Sequence, residues 1–328
     1  MKNFTISTVL VLLVFQIIVL PWSGHETYTY LVVNSTNIDK ERLVIVTPYS
    51  YKETRVYNSE YYYKEDFAGK RKFFDDLGDG IFPPDPMPTD GKLPVWQILT
   101  IYAQFPDFGM DEGLNLSLLQ ALIGNSQGVR HMRYKLGIIE AFEGDRSFLY
   151  FIEMSKQAFA KNDEYWGYRF LSYALHYMQD LFQPYHECPG TFWEVLTGLF
   201  DKTTMKMLNN AHYTYDNYLL YLMFYSKHKE EIREIIQQTP DRFISNNYEQ
   251  LVNEIMMYSY SKFPQVHSEM RKAFGKVLYN RIPQRGDFKE LEEAGKLEGL
   301  YTITKEIVST MTSTIKGFLT EYLKKYQK

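Results

Sequence analysis

From Pro94 onward, apolar residues recur at intervals of three and four, the spacing of helices that each press one face onto a core. This pattern predicts helices over Pro94–Gln104, Ser117–Leu122, Arg146–Ala160, Glu164–Phe182, Ala211–Lys227, Asp241–Lys262 and Ile303–Lys325. Alternation suited to a strand occurs over Arg42–Thr47 alone. The tract from Thr36 to Lys92 carries neither period; it is rich in Tyr, is broken by Gly and Pro around Gly78–Pro88, and reads as an irregular insertion over residues 36–92. Arg281–Gly286 marks a second break, and Lys289–Gly299 reads as a charged, solvated segment. Neither an internal repeat nor a dividing linker is evident. The expectation is an all-α, multi-helical single domain over residues 22–328.

The 328 residues suffice for a substantial core, to which 28 Tyr and 22 Phe contribute amphipathic rings. A formal charge of −4 gives no global electrostatic reason for tight nucleic-acid binding. At the amino end, Lys2 precedes an apolar run, Val9–Leu20, broken by Gln16 alone. Residues 1–21 therefore read as a signal peptide or a membrane anchor, which predicts an extracellular or outer-surface address. Cys188 is the sole cysteine, so no intramolecular disulfide can form.

Chemistry concentrates between Leu175 and Asp216. His176 with Asp180, and His212 with Asp216, are each four apart, so a helix aims an imidazole and a carboxylate at one point. His186 lies between the two pairs. Nitrogen and oxygen donors without thiolate suit a catalytic Zn²⁺ site, and hydrolysis is the expected chemistry. Cys188 is either a further donor or an inert buried thiol. His228 and His267 lack partners at ligand spacing and read as surface residues.

The run Leu175-His176-Tyr177-Met178-Gln179-Asp180-Leu181-Phe182-Gln183-Pro184-Tyr185-His186, followed by His212-Tyr213-Thr214-Tyr215-Asp216-Asn217-Tyr218, resembles the superfamily of zinc-dependent phospholipases C and single-strand-specific zinc nucleases. Phe105-Pro106-Asp107-Phe108 resembles the element that supplies an early carboxylate ligand there, with Asp111 as a rival, and His131 takes the next position. Trp22-Ser23-Gly24-His25 resembles the mature amino terminus, where Trp binds metal through its own amine and carbonyl. The resemblance implies three zinc ions. One would take Asp107, His131, His176 and Asp180; a second His186, His212 and Asp216; the third Trp22, His25 and a shared Asp180. Asp107 would also accept the proton of the attacking water, and Phe108 would face the substrate.

The implied substrate is a phosphodiester. His-x-x-Tyr at 212–215 favours a phospholipid at a membrane surface, while Asp216 in place of Glu matches the nucleases and keeps single-stranded nucleic acid as the alternative. A third reading is a non-catalytic, surface-displayed binding protein with structural zinc. No obligate protein partner is implied.

Overall fold

The computed structural model describes residues 24–51, 91–111, 113–114, 116–117, 127–136 and 139–327. The predicted signal segment, Trp22, most of the 36–92 insertion and nearly all of the predicted helix Ser117–Leu122 lie outside them. The described chain is mostly helical, as the apolar spacing predicts.

The helix Glu164–Leu181, labelled α5 in chain order, is the axis of the fold. The Asp163 side chain caps it by accepting the Trp166 N–H, and every residue from Tyr165 to Leu181 is buried. A helix enclosed on all sides must satisfy its polar groups internally. Accordingly Ser172 Oγ donates to Leu99 O at 2.6 Å, and the Arg169 guanidinium lies over the Tyr102 and Trp166 rings. The preceding helix, α4 (Gly144–Ala160), packs along α5 after a turn through Asn162, whose φ of 59° is left-handed. Gly167 permits this approach, since a Cβ there would stand 2.8 Å from the Phe159 ring.

Ahead of these, α1 (His25–Ser35) packs on α2 (Val95–Ile101), which runs into a 3-10 turn, Tyr102–Phe108. The predicted strand forms over Leu43–Ile45 (β1) and pairs antiparallel with Lys92–Pro94 (β2), Val44 opposite Leu93. Helix α1 carried no signal in the sequence because His25, Glu26, Thr27 and Thr29 are all buried, which erases the apolar stripe. A short helix, α3 (Gln127–His131), leads to the hairpin Tyr134–Leu136 (β3) and Ile139–Ala141 (β4).

After α5 come α6 (Pro184–Glu187), α7 (Phe192–Gly198), α8 (Lys202–Phe224), α9 (Lys229–Gln238), α10 (Tyr248–Phe274), α11 (Val277–Asn280), α12 (Arg285–Glu293) and α13 (Glu298–Leu323). Helix α8 begins well before the predicted Ala211, where Asp201 accepts the N–H groups of Thr203 and Thr204. Helix α10 continues past the predicted Lys262 and through Pro264. The segment Lys289–Gly299 is largely exposed, as expected, and it holds most of α12, which buries Phe288 and Glu292. The Glu292 carboxylate is satisfied there, accepting from Tyr221 Oη at 2.9 Å and from the Lys227 N–H at 3.1 Å. Among the described residues, no helix is long and apolar enough to cross a membrane.

Candidate metal centre

Five elements and one turn deliver the candidate ligands. His25 opens α1, Asp107 sits on the 3-10 turn and His131 ends α3. His176 and Asp180 share a face of α5, His186 lies on α6, and His212 and Asp216 share a face of α8. All of these side chains are buried.

Asp180 is the hub. Its Oδ1 lies 3.5 Å from His25 Nε2 and 3.4 Å from His186 Nδ1, while Oδ2 lies 2.9 Å from His131 Nδ1 and 3.1 Å from His176 Nε2. Asp107 Oδ1 lies 3.3 Å from His176 Nε2 and 3.5 Å from His131 Nδ1, and its Oδ2 lies 3.6 Å from His25 Nε2. On the far side, His212 Nε2 and Asp216 Oδ2 are 3.3 Å apart, and the His186 and His212 rings approach to 4.8 Å. The buried donors form three groups that could hold a metal ion: His25, Asp107 and His176; His131, His176 and Asp180; His186, His212 and Asp216.

Two features fit a small divalent cation. A tetrahedral ion with bonds of about 2.0–2.1 Å sets its donors about 3.3 Å apart, close to the 3.3 Å between His212 and Asp216 and the 3.3 Å between His176 and Asp107. His186 Nδ1 and Nε2, His212 Nε2, Asp216 Oδ2 and Asp107 Oδ1 are buried without a hydrogen-bond partner among the described residues, a costly state for polar atoms that coordination would relieve.

A further feature is how the rings are held. His176 donates through Nδ1 to Ala103 O at 2.8 Å, and His25 through Nδ1 to Gln179 Oε1 at 3.0 Å. Nε2 of His131 faces Asp111 Oδ2 at 3.2 Å. In each ring the outer nitrogen meets an acceptor, so the inner nitrogen turns its lone pair to the common point. His176 Nε2 and His131 Nδ1, 3.0 Å apart, aim at the same place. Gln183 does the corresponding work at the other group, donating through Nε2 to Asp216 Oδ1 at 2.8 Å.

The electrostatics favour positive charge here. Burial opposes a charged His131 and His176, yet the carboxylates around them prevail: Asp111 and Asp180 push His131 up to about 9, and Asp107 and Asp180 push His176 up to about 10. Burial would raise the Asp180 carboxyl, but His176 and His186 hold it well below the usual range. Burial lowers His25, helped by the charge of His176, and burial brings His186 down to about 4. The carboxylates thus demand cationic charge, which protons and metal ions compete to supply.

The rival ligand Asp111 lies outside the cluster. It backs His131 and is fully occupied there by Arg130 Nε at 2.6 Å and Tyr177 Oη at 2.8 Å. Cys188 is buried, its thiol donates to Gly190 O at 3.1 Å, and burial pushes its pKa up to about 12, so it is inert. His267 is not a surface residue: it is buried, with Nδ1 2.9 Å from Tyr185 Oη and Nε2 2.9 Å from Glu194 Oε2. Its partners come from distant segments, so spacing along the chain could not reveal them. His228 is partly exposed and stacks on Tyr301 at 3.9 Å. Trp22 and the Phe108 side chain lie outside the described residues. No model of a known protein family matches the chain, and no curated protein matches its sequence.

Proposed function

We propose that the chain is a zinc-dependent phosphodiesterase that cleaves head groups from phospholipids. The observation that carries this reading is the convergence of four imidazoles, His25, His131, His176 and His186, within 3.5 Å of the single carboxylate Asp180. One ion is assigned to Asp107, His131, His176 and Asp180, a second to His186, His212 and Asp216, and a third to His25 and Asp180 with Trp22. Bound zinc supplies Lewis acidity toward the phosphate oxygens and an acidified water.

The remaining steps belong to side chains. Asp107 Oδ1, buried and without a hydrogen-bond partner among the described residues, is the proton acceptor for the attacking water. Asp111, Ala103 and Gln179 keep three rings in register, and Gln183 holds Asp216. Burial of the donors restricts competing water around them. The phospholipid choice rests on the resemblance of His212-x-x-Tyr215 to the phospholipase arrangement, and the Lys2 to Leu20 pattern supports an exported or surface-displayed enzyme.

Elemental analysis of the purified chain, followed by assays of that sample on phosphatidylcholine and single-stranded DNA, tests the proposal. The expected result is about three zinc ions per chain and head-group release from the lipid. DNA cleavage without lipid turnover makes it a nuclease; little zinc and neither activity makes it a binding protein.

A further inference from the structure

Four of the nine large hydrophobic side chains that stand exposed among the described residues come from one short segment: Phe192, Trp193, Leu196 and Phe200. Trp193 is 71% exposed and Phe200 83%, too much for residues of the core. Their spacing places them along one side of α7 and its exit, while Val195 and Gly198 turn inward. The Phe192 and Trp193 rings pack edge to face at 5.4 Å.

The segment is held rigidly. Thr191 and Glu194 form a reciprocal capping box, and the Glu194 carboxylate also accepts from Arg271 Nη1 at 2.6 Å and meets His267 Nε2 at 2.9 Å. His267 contacts Tyr185, the neighbour of the ligand His186. Lys202 and Lys206 stand exposed just beyond Phe200. The acidic residue between them and Phe200, Asp201, is turned onto the α8 amino terminus. Lys202 to His212 spans on the order of 15 Å along α8, so the two lysines beside the patch share one helix with the ligand candidates His212 and Asp216.

We propose that Phe192, Trp193, Leu196 and Phe200 form a wedge that seats the protein on a phospholipid bilayer, with Lys202 and Lys206 meeting head-group phosphates. Aromatic rings beside lysines are the composition that settles at the boundary between head groups and acyl chains. The lysine charge complements anionic lipid and selects a bilayer over an uncharged apolar partner. The proposal rests on the phospholipid reading above.

Flotation of the full chain with vesicles of phosphatidylcholine, alone or mixed with phosphatidylserine, tests this. The metal-loaded protein is mixed with vesicles in the cold and floated at once, so that turnover consumes little lipid. Wild type is expected to float, and more strongly with phosphatidylserine. W193S/F200S should weaken binding about tenfold or more, and K202E/K206E should abolish the gain from phosphatidylserine. The p-nitrophenyl ester of phosphocholine, which needs no membrane, should be cleaved by W193S/F200S at the wild-type rate. Wild type that stays in the aqueous fraction with both vesicles overturns the wedge, even if the soluble ester is cleaved. A concentration-dependent dimer that W193S/F200S abolishes, without flotation, assigns the patch to a second copy and also overturns it. Flotation by a chain that cleaves no phosphodiester leaves the wedge standing and fails the enzyme reading.

Discussion

Asp111 stands 3.2 Å behind His131, on the ring nitrogen opposite the one that meets Asp180. The ring is thereby clamped between two carboxylates, one directing it and one sharing its target. Asp111→Asn keeps the volume but removes the charge that fixes the ring. It is expected to weaken zinc binding by about 10–100-fold while leaving the ligand set intact, as read by competition with a chromophoric chelator. Unchanged affinity would mean that Arg130 and Tyr177 alone orient this corner.

Removal of the hub has a larger effect. Asp180→Asn should strip the ions assigned around His25, His131 and His176 and leave about one per chain, at His186, His212 and Asp216, with turnover lost in parallel. Normal zinc content with normal turnover in this variant would refute the site.

Away from the metals, Glu194 offers a pH test. Burial would raise its carboxyl, but the contact with His267 holds it down to about 2 against an ordinary value near 4.5. A depressed carboxyl stabilises the fold above its unfolded value, and that contribution fades as pH falls from about 4.5 toward about 2. Glu194→Gln should therefore be less stable than wild type by about 1–2 kcal/mol at pH 6, a modest figure because the group is partly exposed and screened. The gap should narrow at pH 3 in urea unfolding; a gap that widens would contradict the assignment.

Helix contact can be tested at Gly167. The added methyl of Gly167→Ala meets the buried Phe159 ring, itself stacked on Tyr326 at 4.2 Å, so neither neighbour can yield freely. A loss of about 1–3 kcal/mol in urea unfolding is expected, with zinc content retained.

Spacing along the chain was informative where one helix carries both partners. His176 with Asp180, and His212 with Asp216, lie on single helices at ion-pair distance. The four-residue rule needs no tertiary knowledge. It could not decide between Asp107 and Asp111, because that choice depends on which side of His131 each carboxylate reaches. Helix α1 escaped notice for the related reason that its polar face is buried. The aromatic patch on α7 was equally silent, since a Trp or Phe looks the same in sequence whether it faces core or solvent.

His25 and its acceptor Gln179 are 154 residues apart in the chain, and Cys188 has no thiol partner anywhere in the sequence. A cation shared by His25 and Asp180 would therefore serve as the staple that a disulfide provides in many exported proteins. A cross-link over so long a loop removes on the order of 4–5 kcal/mol of chain entropy from the unfolded state. It is also a reversible staple: helix α1 would be fastened in zinc-replete surroundings and released to proteases wherever the metal is scarce.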